Sequence, residues 1–202
     1  GYPYDNSMLS FFGRVSLDYD SKYLFAANLR RDGSSKFADG HKWGTFPSVS
    51  AAWRFSSESF MESTRNWLSD AKLRVSYGIT GNQEIGNYNS LNTLGASTNG
   101  YLVGGEKVTI VLPQQYSNPD IKWEQTAQTD IGLDFGFFNG RIHGSIDYYY
   151  KKTTDLLLSV AVPSPSLITS QIANVGSVKN QGIEIDLGFG VLRTKDFSWD
   201  VN

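Results

Sequence analysis

The stretch Ala71 to Gly81 constrains the fold more than any other feature of the sequence. Its odd positions read Ala71, Leu73, Val75, Tyr77 and Ile79, and its even positions read Lys72, Arg74, Ser76, Gly78 and Thr80. Successive side chains on a strand point to opposite faces, so one face here is apolar and the other polar and cationic. A helical period would scatter both sets around its circumference. The same rhythm recurs along Leu9–Tyr19, more weakly along Tyr23–Arg30, then along Ser48–Phe55, Thr126–Phe135, Arg141–Tyr150 and Gly182–Phe189. It starts once more at Phe197, Trp199 and Val201, where the sequence stops in mid-pattern. These segments predict an all-β, antiparallel chain of about eight strands.

Composition removes several functional classes. The chain has no Cys, which excludes disulfide scaffolds, thiolate zinc sites, Fe–S clusters and cysteine nucleophiles. Its 18 Lys and Arg against 20 Asp and Glu, without a basic block, argue against nucleic acid as a partner. The 202 residues suit one domain, and a hydrophobic content of 40% argues against global disorder. The opening GYPYDNSML lacks the pattern of a signal peptide. No apolar run approaches the roughly 18–20 residues of a membrane-spanning helix.

Connections carry the next constraint. Short turns are expected at Asp20–Lys22, Phe138–Gly140 (around the hairpin signal Asn139-Gly140) and Leu192–Asp196. They alternate with long polar loops at Asp32–Trp43, Gly81–Trp123 and Thr153–Val178. The link Ser56–Asp70 falls in the short series but is longer. Within it Ser59-Phe60-Met61-Glu62 fits a capping box, with Phe60, Thr64, Trp67 and Leu68 on one helical face, so one short helix is expected near 59–68. Up-and-down hairpins with short turns at one rim and long loops at the other are the pattern of outer-membrane barrels.

Alternation by itself also fits a soluble sandwich or barrel that holds a ligand in its loops. Three features favour the membrane. Charges and glycines occupy the polar face, as a hydrated lumen tolerates. Aromatics such as Tyr19, Tyr23, Trp53, Phe55, Phe135, Phe137, Tyr148, Tyr150 and Trp199 end the apolar face, as an interfacial girdle requires. Strands of about ten residues, tilted by about 40°, climb roughly 25 Å, the height of the apolar band of such barrels. Lipid would then meet the apolar face. Arg14, Arg54, Arg74, Asp130, Asp134, Arg141, Asp147, Glu184 and Asp186 would face the lumen, the carboxylates pairing with Arg14, Arg74 or Arg141.

Four strings then bear a family resemblance. SFFGRVSLDYDSKYLFAANLRRDGSSKFADGHKWGTFPSVSAAWRFSSESFM, WLSDAKLRVSYGITGNQEIGNY, NPDIKWEQTAQTDIGLDFGFFNGRIHGSIDYYYKKTTDLLL and NVGSVKNQGIEIDL resemble, in order, the SusC/RagA family of TonB-dependent outer-membrane transporters. The chain departs from that pattern mainly between about Asn92 and Val111. The resemblance implies a transmembrane β-barrel wall of about eight strands belonging to a larger barrel. It implies a partial barrel domain over 1–202, with no stretch resembling a plug, a TonB box or a closing C-terminal strand. It further implies, through the full-length parent, import of oligosaccharides or peptides with a SusD-like lipoprotein and TonB. The location implied is a Gram-negative, Bacteroidota-like outer membrane. An eight-stranded arc would leave two unpaired edges, a template for aggregation when isolated.

No catalytic constellation assembles, so the chain reads as a transport protein rather than an enzyme, with no cofactor. His41 and His143 lack metal-ligand spacing to one another. Gly-x-Ser-x-Gly is absent, and no phosphate-loop or dinucleotide fingerprint occurs. Aromatics in the long loops (Trp43, Tyr88, Tyr101, Tyr116 and Trp123) stand among Asn, Gln, Gly and Ser. That composition suits sugar stacking or contact with a lid, and equally suits loops that pack on one another.

Overall fold

A computed structural model describes residues 5–97, 102–193, 195 and 198–201. In chain order the strands are β1 Met8–Tyr19, β2 Tyr23–Ser34, β3 Trp43–Trp53, β4 Leu68–Asn82, β5 Thr93–Ser97, β6 Leu102–Val103, β7 Glu106–Lys107 and β8 Ile110–Gln115. There follow β9 Glu124–Phe137, β10 Ile142–Thr154, β11 Leu157–Ala161, β12 Ser170–Asn174, β13 Ser177–Arg193 and β14 Ser198–Val201. One eight-stranded sheet runs β1-β2-β3-β4-β9-β10-β13-β14, every neighbouring pair antiparallel. The three small hairpins, β5 with β8, β6 with β7 and β11 with β12, rise from the two longest loops. All eight expected strands are present, although Phe197 lies outside the described residues.

Most of them run further than the alternation indicates. β2 continues to Ser34 and β3 starts at Trp43, so their loop shrinks to 35–42. In β2 the added residues 31–34 are polar or small on both faces, and in β3 Phe46 sets an aromatic on the polar face, so the two-residue contrast fades while the backbone ladder continues. The expected amphipathic helix is a correction. The segment forms two 3-10 turns, Phe55–Ser57 and Ser59–Thr64, without a side-chain cap. Glu58, not Ser59, stands at the N-cap, Phe60 is exposed, and Leu68 already opens β4. A turn so short gains few helical hydrogen bonds, and the following strand claims the rest of the segment.

The register keeps the two faces apart. Val75 pairs with Ala51 and Ile131, and Ile146 pairs with Leu133 and Ile185, so apolar residues meet apolar residues across the sheet. Arg74 likewise pairs with Gly132, and Asp147 with Gly132 and Glu184. The apolar face is open rather than packed: Leu73, Val75, Ile131 and Leu187 are 38%, 43%, 45% and 42% exposed. On the polar face a groove of about 400 Å³ reaches from Arg14 on β1 to Asp130 on β9. The outer edges of β1 and β14 have no strand partner among the described residues.

Burial is concentrated at the long-loop end. Phe37, Phe46, Ile85, Ile121 and Trp123 form one buried cluster, with Ile79, Leu157 and Ile172 packed against it. The β3–β4 ladder runs only from Trp53↔Leu73 to Ser48↔Gly78, and beyond it the ring of Phe46 turns inward. Gly44 and Gly81 leave room for that ring, since a Cβ at either position would overlap it.

Candidate functional site

Chemistry-bearing side chains gather in two places, on the polar face at mid-wall and in the knot of long loops. At mid-wall, β4, β9 and β10 each present charged residues to the same side. The Arg74 guanidinium donates to both carboxylate oxygens of Asp134, Nη2 at 2.7 Å and Nε at 3.0 Å, and reaches Asp147 at 2.8 Å. Lys72 adds a second ion pair to Asp134 at 2.8 Å. Gly132 lies between Arg74 and Asp147, and a Cβ there would collide with both side chains. A bare backbone at that position is what lets one guanidinium span three strands. Ser145 donates to Asp147 at 2.7 Å, while Asp130 accepts from Ser76 and Gln128 at 3.1 and 2.8 Å.

Arg74 and Lys72 each have a carboxylate partner, and these pairs hold β4, β9 and β10 in register. Bidentate pairing of this kind gives directional specificity. The ladder contains no nucleophile set against a general base.

The remaining charged residues are distributed differently. Arg54 lies beyond the end of β3 and pairs with Asp70 at 3.3 Å near the short-turn rim. Arg141 is the last turn residue before β10 rather than a strand residue. Arg14, Glu184 and Asp186 are exposed on the polar face and make no ion pair among the described residues. Of the three arginines expected to neutralise carboxylates, Arg74 does so and Arg14 and Arg141 do not. On the side where its strand is paired, Arg14 stands opposite Asn28 and Asp186 opposite Ser145. His143 lies with Nδ1 3.2 Å from the Gly140 carbonyl. No group of three or more metal-ligating side chains occurs among the described residues.

In the loops, the five aromatic candidates separate. Trp123 is 4% exposed, packs on Phe37 and Phe46 with ring centroids 5.2 and 5.4 Å away, and donates Nε1–H to the Lys42 carbonyl at 3.1 Å. It is therefore a core residue, not a ligand contact. Trp43 is no loop residue either. It opens β3 on the outward face, stacks on Phe11 at 6.2 Å and carries the Arg31 guanidinium 5.3 Å above its ring. Tyr88 is 39% exposed, adopts a left-handed backbone with φ of 65°, and bonds through its hydroxyl to the backbone of Asp5. Tyr116 is half-buried, and Tyr101 lies outside the described residues.

Polar contacts tie the loops into one body. Asn118 donates to the Ile172 carbonyl at 2.8 Å, and Asn174 exchanges hydrogen bonds with the Lys122 backbone at 2.8 and 2.9 Å. Glu124 accepts from the Leu157 amide at 3.1 Å. Sequence reasoning missed Phe37, Ile85 and Ile121. The available signal was single large apolar residues inside otherwise polar loops, which have no alternation to reveal them.

Comparison with known proteins agrees with this architecture. Residues 2–202 match the family described as TonB dependent receptor-like, beta-barrel. TonB-dependent receptor SusC of Bacteroides thetaiotaomicron is 40% identical over 205 residues, covering 100% of this chain and 20% of SusC. TonB-dependent receptor P26 of Formosa agariphila is 43% identical over 190 residues, covering 94% of this chain and 19% of that protein. The chain thus spans about a fifth of the length of these relatives. A solved structure of the RagAB peptide transporter superposes with a TM-score of 0.84 at 35% identity, covering 96% of this chain and 21% of that one. The siderophore receptor PirA from Pseudomonas aeruginosa, at 15% identity and a TM-score of 0.59, shares the fold.

Proposed function

Because the chain belongs to the TonB-dependent receptor β-barrel family, whose SusC-like members are outer-membrane transporters, we propose that it forms one stretch of barrel wall in an importer of oligosaccharides or peptides. The outer membrane is the location of this family. The observation that carries the reading is the sorting of the sheet. Apolar side chains stand exposed on one face, and the ladder of Arg74, Lys72, Asp134 and Asp147 occupies the other. A soluble binding module would bury Leu73, Val75 and Ile131 in its own interior.

The wall works by position rather than by bond making. It excludes lipid, keeps a hydrated passage open and presents loops at one mouth, with no enzymatic step. Of the loop aromatics, Tyr88 and Tyr116 are our candidates for contact with substrate or a SusD-like lipoprotein lid, Tyr88 being 39% exposed. Arg14, Glu184 and Asp186 offer charges to whatever fills the lumen, and TonB supplies energy through the whole protein.

Cells lacking the protein are expected to lose accumulation of labelled oligosaccharides or of labelled oligopeptides. Purification of the full chain in detergent is expected to carry a surface lipoprotein with it. Unchanged uptake of both classes, or full recovery of the protein in a detergent-free soluble fraction, would overturn the proposal.

A further inference from the structure

Charge is unevenly spread over the outward face of the large sheet. Following the alternation along β1 to β4, β9, β10 and β13, the described outward side chains include three charged ones, Arg31, Lys152 and Lys179. All three are cations, and all three lie at the long-loop end. At the short-turn end the same face carries aromatics such as Tyr19, Tyr23 and Trp53.

Lys152 and Lys179 stand directly opposite one another on β10 and β13. Cross-strand partners hold their Cβ atoms about 5 Å apart, a separation at which like charges repel. Neither ammonium has a hydrogen-bond or ion-pair partner among the described residues, and on its other side Lys152 faces Ala127. One and two steps down this face come Tyr150 with Gln181 and Tyr148 with Ile183. Ile183 and, two residues on, Ile185 with Ile146 opposite it form an apolar shelf that runs toward the middle of the wall. The two lysines thus mark the level at which lipid-facing surface gives way to headgroups, where long cationic side chains extend toward the polar layer.

On the reading that this face meets lipid, we propose that Lys152 and Lys179 clamp a phosphate group of an outer-leaflet lipid whose acyl chains lie along Ile183 and Ile185. An anion shared between the two ammonium groups relieves their repulsion. The shelf beneath favours an anchored phosphate over a free one. Arg31 is not part of the clamp: three strands, β3, β4 and β9, lie between β2 and β10, so four strand spacings or about 19 Å separate them, and its guanidinium is already seated on Trp43.

The test uses the full chain in mixed micelles containing phosphorylated lipid A or its dephosphorylated form, with retained lipid counted by native mass spectrometry. The native protein is expected to retain the phosphorylated form at least fivefold better, and Lys152→Gln with Lys179→Gln to lose that preference. Lys151→Gln, on the opposite face, and the double Lys→Arg variant are expected to keep it. Should the Gln variant fail to fold, the comparison of the two lipids on native protein decides alone. Equal retention of both lipids, no loss in the folded Gln variant, or displacement of the phosphorylated lipid by millimolar inorganic phosphate would overturn the clamp. Quenching of tryptophan fluorescence by brominated acyl chains reports separately whether the apolar face meets lipid. If quenching is absent, the barrel-wall reading fails; if it is present without lipid discrimination, only the clamp fails.

Discussion

The mid-wall and the knot of long loops handle apolar residues in opposite ways. In the knot, Phe37, Phe46, Ile85, Ile121 and Trp123 are all under 10% exposed, with the rings of Phe37 and Phe46 packed on that of Trp123. In the wall, Ile131 and Ile146 are 45% and 43% exposed, although the strands that carry them are paired on both sides. The difference is one of solvent. Water at the mouth drives the loops to bury apolar surface, whereas hydrocarbon around the wall removes that drive and leaves hydrogen bonding and ion pairing to hold the sheet. A rule that apolar means core therefore holds at one end of this molecule and fails along its height.

The largest expected effect comes from the knot. Trp123→Ala removes a ring packed against Phe37 and Phe46 and should cost about 3–5 kcal/mol locally. Amide exchange should accelerate in residues 35–46, 83–85 and 155–172, while strand amides around 131 and 146 stay protected. Equal acceleration in wall and loops would mean the two regions fold as one unit, and the contrast drawn above would be lost.

Next in size is a charge on the lipid face. Ile131→Arg puts a cation near mid-wall facing hydrocarbon, where the cost in barrels is about 2–4 kcal/mol. Ser16→Arg, on the polar face, should change urea stability in phospholipid vesicles little. If the two variants unfold alike, the assignment of the faces is wrong.

The strands and their faces were legible because a period of two survives wherever the two solvents differ. Arg74 was placed on the polar face by the same reasoning, but its partners Asp134 and Asp147 lie 60 and 73 positions away, and pairing depends on register. No local pattern encodes that. The knot was illegible for a related reason: Phe37 comes from one loop and Ile85 and Ile121 from opposite ends of another, and they become neighbours only when the strands beneath bring these segments together. Trp43 and Trp123 looked alike in sequence, each an aromatic at the end of a polar loop. The pleat sends Trp43 outward at the start of β3, while Trp123 precedes β9 and turns into the cluster. The stretch 59–68 satisfied a helix-start pattern, but strand pairing from Leu68 onward outweighed it.

The smallest effect separates the two ends by pH. At the short-turn rim Glu58 accepts hydrogen bonds from Tyr23 at 2.6 Å and from the Trp53 indole at 3.1 Å. These bonds hold its carboxyl below the ordinary glutamate value; Lys22 adds to the effect, and burial and Asp20 oppose it. A carboxyl depressed in the folded state stabilises fully above its unfolded value, about 4.3, and loses that contribution as pH falls through the lower folded value. Trp53 fluorescence should therefore stay constant from neutrality to about pH 5, then change below about pH 4. Glu58→Gln should abolish the change. The knot, whose five buried members include no titratable side chain, should keep its amide protection over the same range. A response that persists in the Gln variant would place the acid sensitivity elsewhere. Loss of protection in the knot at the same pH would show that the two rims are coupled through the wall, contrary to the independence that their different solvents imply.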